Sequence, residues 1–245
     1  AVFGDTRGQL VDETFYQGPP FLTEYDRTKW LAHYEVAVPL IEAGAPIIVA
    51  MPGGVYGPGD PSVVGAFLRM LYRGLLPVFP TPGTVITFAH VDDIAEGLIL
   101  AWEKGRLGDS YILAGPPLSF SELLELCASL TGRAAPLVHV PGRWLPPLAP
   151  LAWRAQHWLP LPEAFSRDTL AMVGATYMAT PEKARRELGW RPRSLITGLE
   201  ETLAWIAATE TARPVLHTRS RQIAAFSLLG GITALLAWLL TRRKK

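Results

Sequence analysis

The 245-residue chain has a single cysteine, Cys127, which excludes an internal disulfide framework and any multi-cysteine zinc site. It has no HExxH, no CxxC and no closely paired histidines, so nothing in it points to a metal. Excess charge is also lacking. Lys and Arg number 23 against 22 Asp and Glu, and the net charge of +1 excludes a bulk polycation, so nucleic acid is not a default partner. Internal repeats and low-complexity tracts are absent. The chain opens at Ala1 with no Met, no charged leader and no apolar signal. Ala1-Val2-Phe3-Gly4 reads as the end of a strand entering a loop, so further residues are expected to precede it.

What charge there is lies unevenly. Arg242, Arg243, Lys244 and Lys245 carry +4, leaving −3 for the rest. Just before them, Gln222 to Thr241 is a run of 20 residues without a charge. As a helix that run spans about 30 Å, the thickness of a bilayer core. The expectation is a transmembrane helix over 222–241, a linker over 212–221 and a basic tail over 242–245. The competing reading is a buried or interfacial C-terminal helix.

The body before it alternates short apolar runs with helical patterns. Residues 46–51 (PIIVAM) read as a buried, parallel strand, 110–114 (SYILA) as a second, and 137–140 as a weaker third. Thr23 caps a predicted helix over 24–43, with Gly44 after it and Pro39 weakening its last turn. Trp30, Tyr34, Ala37 and Ile41 give that helix a buried stripe. Asp92 or Asp93 opens another helix. Ser119 with Glu122, and Thr197 with Glu200, have the spacing of capping boxes. Thr180-Pro181 opens a helix that ends at Gly189. The alternation predicts an α/β layer with a parallel sheet. Residues 141–165, rich in Pro and Trp, read as a separate irregular lobe, whose tryptophans serve either as core or as an apolar pocket.

Tyr25 and Lys29 form Y-x-x-x-K. Positions i and i+4 share a helix face, so a phenol and an ammonium can enter one site. A free phenol has a pKa near ~10, and a neighbouring ammonium favours the phenolate. Moving that pKa by about 3 units takes about 4 kcal/mol, within reach of one close charge in a low-dielectric cleft. The bland alternative is an exposed helical pair. Met51-Pro52-Gly53-Gly54-Val55-Tyr56-Gly57-Pro58-Gly59-Asp60 follows the first strand. Ligands of open α/β sheets bind beyond strand carboxyl ends, and such a backbone can approach one closely. An ordinary Gly/Pro turn is the alternative there.

These residues resemble the extended short-chain dehydrogenase/reductase family, the NAD-dependent epimerase/dehydratases. Tyr25 to Lys29 (YDRTK) resembles the family's Y-x-x-x-K. Pro52 to Asp60 resembles its R-P-x-x-V-Y-G-P-G loop, with Met51 in place of the common Arg. Phe88 to Ala95 (FAHVDDIA) is similar to its HVDD helix start, and Ala184 to Pro192 (ARRELGWRP) to a signature of its C-terminal lobe. The motifs occur in family order within residues 1–210. The resemblance implies a Rossmann-like, doubly wound parallel sheet, here its C-terminal part, over 1–60 and 86–115. It implies a substrate lobe over 61–85 and 116–211. Tyr25 is then the acid/base, and Lys29 lowers its pKa and holds the nicotinamide ribose. Pro52, Gly53, Gly54 and Val55 line the nicotinamide pocket. The cofactor is NAD or NADP, the partner a small-molecule substrate, and a homodimer through the Tyr/Lys helix is implied. His90, Asp92 and Asp93 read as helix-capping residues, and no metal is expected.

One departure weighs on function. The family's G-x-x-G-x-x-G phosphate loop has no counterpart among the 22 glycines, and its catalytic Ser/Thr falls before Ala1. Thr6 does not match it. The 245 residues alone are therefore expected to bind dinucleotide weakly and to be inactive by themselves. The leading reading is an epimerase, dehydratase or reductase acting on a hydroxyl or ketone of a sugar-nucleotide, sterol, isoprenoid or flavonol-like molecule. The body sits on the cytoplasmic side, where nicotinamide cofactors are found. The alternative is a non-catalytic dinucleotide-binding protein of a membrane assembly.

Overall fold

The structure is a computed structural model that describes residues 1–74, 78–81, 83–132, 138–141 and 171–211. Ala1–Ile206 is one compact unit. Most of 141–165, and all of 212–245, lie outside the described residues. Among the described residues no helix is long and apolar enough to cross a membrane, and the 222–241 run is not among them.

The chain enters its first helix at Thr23, whose hydroxyl accepts from the Asp26 amide at 3.0 Å. Helix α1 (Glu24–Trp30) passes into a π-helical segment, Leu31–Ala37, and then into α2 (Val38–Glu42). Pro39 was expected to disturb the last turn, but the irregularity sits a turn earlier. Pro39 has no N–H for the Glu35 carbonyl and its ring crowds that carbonyl, so the widened turns precede it. Beyond Ala43, Gly44 takes φ +88° and turns the chain toward the sheet.

Strand β1 (Val49–Pro52) pairs in parallel with β5 (Ser110–Leu113), Met51 opposite Ile112. The first strand thus starts three residues later than its apolar run suggested and is only partly buried. Next comes β2 (Gly54–Tyr56), then α3 (Val63–Tyr72), β3 (Val78–Thr81), β4 (Val85–His90) and α4 (Val91–Lys104). After β5 follow β6 (Pro117–Ser119), α5 (Phe120–Thr131) and β7 (Val138–Pro141). Then come β8 (Thr176–Tyr177), α6 (Glu182–Leu188) and α7 (Leu195–Thr211). β2–β4, β3–β7 and β4–β8 are parallel; β4–β6 is antiparallel. The expected third strand at 137–140 is β7.

Capping accounts for most helix ends. Ser119 Oγ accepts from the Glu122 amide (3.1 Å), and Glu122 accepts from the Ser119 amide (2.8 Å). Gly132 and Gly189 close α5 and α6. Two expected caps shift. His90, not an aspartate, caps α4, and Ser194, not Thr197, caps α7 by accepting from the Thr197 amide at 3.1 Å. Each accepts from an amide of the first turn, Ser194 from the residue three positions on and His90 from the residue two positions on.

Three apolar clusters hold the unit together. Tyr56, Leu68, Phe88, Leu124, Leu199 and Ile206 join α3, α5 and α7 to β2 and β4. Ile94, Tyr111, Leu113, Leu188 and Trp190 seat α4 and α6 on β5. Phe3, Val11, Met51 and Ile112 pack the N-terminal segment on β1 and β5.

Candidate active site

Tyr25 and Lys29 lie on the open side of α1, while Asp26 and Trp30 on the same helix are buried. Tyr25 is 55% exposed, and the Lys29 ammonium stands 5.4 Å from the centre of its ring. The spacing of four residues puts both side chains on one face. The phenol is therefore reachable from solvent with a cation beside it. A loop of six residues (43–48) joins α2 to β1.

Asp26 was not singled out in the sequence. It is fully buried beneath the pair. The Tyr177 hydroxyl donates to its Oδ2 at 3.2 Å, while Oδ1 has no hydrogen-bond partner among the described residues. Burial and the Asp26 charge push the Tyr177 phenol well above the ordinary range. This bond ties the Tyr25/Lys29 helix to β8. The signal was weak in sequence, because an Asp in a first helical turn is ordinary. Thr6 is buried and bonded to Thr176, with no free hydroxyl for chemistry.

Pro52 and Val55 are exposed, whereas Gly53 and Gly54 are half-buried. The segment expected to be a loop is the β1–β2 junction. Gly53 donates to Leu113 O (2.9 Å), and Gly54, Val55 and Tyr56 face Phe88, Ala89 and His90 across the β2–β4 ladder. A Cβ on Gly53 would run into the Thr87 carbonyl, and one on Gly54 would lie 2.9 Å from both Ile86 and Phe88. These glycines are therefore required by strand packing, whatever lies outside them.

His90, Asp92 and Asp93 form a knot with the C-terminal motif. The His90 ring is buried, with Nδ1 accepting from the Asp92 amide at 3.3 Å. The Asp93 carboxylate accepts from Arg193 Nε and from the Arg193 amide, both at 3.0 Å, and its carbonyl accepts from Trp190 Nε1 at 2.7 Å. Arg193 also pairs with Glu201 and, at 3.6 Å, with Asp92. His90, Asp92 and Glu201 lie close enough to suggest a cation site. The Arg193 guanidinium is already the cation among these carboxylates. His90 Nδ1 is spent on the cap, which leaves the proton on Nε2 rather than a lone pair. The arrangement is a structural clasp between the β4–α4 junction and the segment that enters α7.

For a dinucleotide, the donors present fit one end. Lys29 and Tyr25 present an exposed ammonium and phenol side by side, donors of the kind a ribose and a reacting carbonyl require. The sequence carries no G-x-x-G-x-x-G run to cradle the phosphates.

Residues 1–114 match the family model described as the NAD dependent epimerase/dehydratase family. A protein of Synechocystis sp. named as a dihydroflavonol 4-reductase is 30% identical over 205 residues, covering 79% of this chain and 58% of that one. Sterol demethylase protein B of Methylococcus capsulatus is 26% identical over 176 residues, covering 70% and 53%. The crystal structure of a nucleoside-diphosphate-sugar epimerase from Pseudomonas aeruginosa superposes with a TM-score of 0.63 at 25% identity, covering 84% of this chain and 63% of that one. The chain thus spans little more than half the length of the curated relatives it matches. The motifs, the α/β architecture and these likenesses agree, and the chain belongs to the extended short-chain dehydrogenase/reductases, the NAD-dependent epimerase/dehydratase family.

Proposed function

We propose that this chain carries the proton-transfer and substrate-facing part of an NAD(P)-dependent reductase or epimerase. The reading rests on the exposed Tyr25 phenol with the Lys29 ammonium 5.4 Å from its ring centre. Tyr25 gives a proton to a substrate carbonyl oxygen, or takes one from a hydroxyl, at its own Oη. Lys29 stabilises the phenolate left behind and would hold the nicotinamide ribose. When bound, NAD or NADP supplies the hydride acceptor or donor. Pro52 to Val55 would line the nicotinamide side of the site, and Asp26 with Tyr177 fixes the helix that carries the pair.

The relatives' names span flavonoid, sterol and sugar-nucleotide chemistry. The substrate is accordingly a small molecule with a secondary hydroxyl or ketone. An apolar substrate suits a body held at a membrane by residues 222–241, and that anchor is part of the proposal.

Tyr25→Phe tests the reading, in a form of the protein that binds dinucleotide. NADPH-linked reduction of a ketone panel (dihydroflavonol, sterol and sugar-nucleotide) is expected to fall by about 10²- to 10⁴-fold, with NADPH affinity unchanged. Turnover indifferent to the substitution overturns the catalytic role and favours a dinucleotide-binding scaffold.

A further inference from the structure

Helix α4 is apolar on two sides. Ile94, Gly97 and Ala101 face the core, as the clasp and cluster around Trp190 require. On the outer side Leu98 is 47%, Ile99 54% and Trp102 81% exposed, and in the loop beyond the helix Leu107 is 68% exposed. At 100° per residue, positions 98, 99 and 102 fall within one stripe about 100° wide. Asp92 lies roughly 70° from its centre and Glu96 and Glu103 roughly 100°, so the charges flank the stripe and none falls within it. Exposed apolar residues scattered singly need no explanation, but four along one helix and its exit loop, with a bare tryptophan among them, mark a docking surface.

We propose that this stripe lies in the interfacial layer of a lipid bilayer, with Trp102 at headgroup depth and Leu98, Ile99 and Leu107 entering the acyl boundary. Residues 222–241 are a bilayer-length run without charge, followed by four cations. A body tethered by such a segment meets lipid at high effective concentration, so a modest apolar stripe suffices to seat it. Trp is the side chain enriched at that depth, having an apolar body and one N–H. Arg106, exposed next to Leu107, can meet lipid phosphate. The inference deepens the proposed function and rests on its anchor: it seats the body on the membrane in which an apolar substrate would dissolve.

The test uses the full chain in phosphatidylcholine vesicles, spin-labelled at Ile99→Cys or Trp102→Cys, with Gln9→Cys as an exposed comparison site. Cys127 is buried and its thiol pushed up to about 12, so the label does not reach it. Collision of the nitroxide with oxygen, relative to a water-soluble nickel chelate, is expected to be about tenfold higher at 99 and 102 than at 9. Carbonate washing of the same vesicles reads the anchor separately. A chain washed off the vesicles overturns the anchor and this inference together. A chain that stays, with 99 and 102 open to the nickel chelate, overturns the stripe's role and leaves the anchor standing. Labels shielded from both relaxants and broadened by one another mean that a second copy covers the stripe, which overturns it as well.

Discussion

At the scale of residues, the most consequential side chain outside the proposed site is Asp93. It is buried, and it receives both an ion pair and a backbone hydrogen bond from Arg193. Asp93→Ala removes the buried carboxylate that holds both the Arg193 guanidinium and the Arg193 amide, and is expected to cost about 2–4 kcal/mol in urea unfolding. Asp92→Ala removes only an exposed partner at 3.6 Å and is expected to cost less than about 0.5 kcal/mol. His90 supplies a pH dependence. Burial, with Arg193 nearby, holds its pKa below the ordinary 6.5. The unfolded chain therefore binds a proton that the native ring resists. Stability from this group is complete above pH 6.5 and is lost as pH falls toward the native pKa. His33, its pKa lowered by burial, acts in the same direction. Melting temperature is expected to fall below about pH 6.5, and by less in His90→Asn, where the amide can still cap α4 but does not titrate. Sequence could mark His90 and Asp93 as capping types. It could not show that Arg193, a hundred residues on, closes on them.

At the scale of elements, local chemistry was the legible part. The Ser119/Glu122 box, the Thr23 cap and the glycines after α2, α5 and α6 are all short-range devices, and each is where its spacing indicates. Strand β2 was not legible. Gly54-Val55-Tyr56 is three residues long and lies between glycines, too short for alternation to show and with its Val and Tyr strand preference offset by Gly53, Gly54 and Gly57, and it forms because β4 lies beside it. The same pairing changes the meaning of the glycines. Gly53→Ala is expected to destabilise the unit by about 2–3 kcal/mol, through overlap with the Thr87 carbonyl. Urea unfolding without any nucleotide reads this. A Gly53→Ala protein as stable as wild type would return Gly53 to a role in ligand approach alone.

At the scale of the whole molecule, family membership was legible because four separate motifs kept their order over residues 1–210. The structure gives those motifs a common logic. Tyr25 and Lys29 share one helix face; the HVDD and LGWRPR segments clasp each other; the glycine junction links two strand pairs. Nothing local in the sequence marks Asp26, because its partner Tyr177 lies 151 positions away. The chemistry proposed for this assembly turns on whether the Lys29 charge governs the Tyr25 proton. The most direct measurement is the pH dependence of kcat/KM for wild type and Lys29→Met, in a dinucleotide-binding form and with one ketone substrate. The ionisation that controls the rate is expected to move upward by about one pH unit or more when the ammonium is removed. A profile that stays in place in Lys29→Met contradicts the pairing.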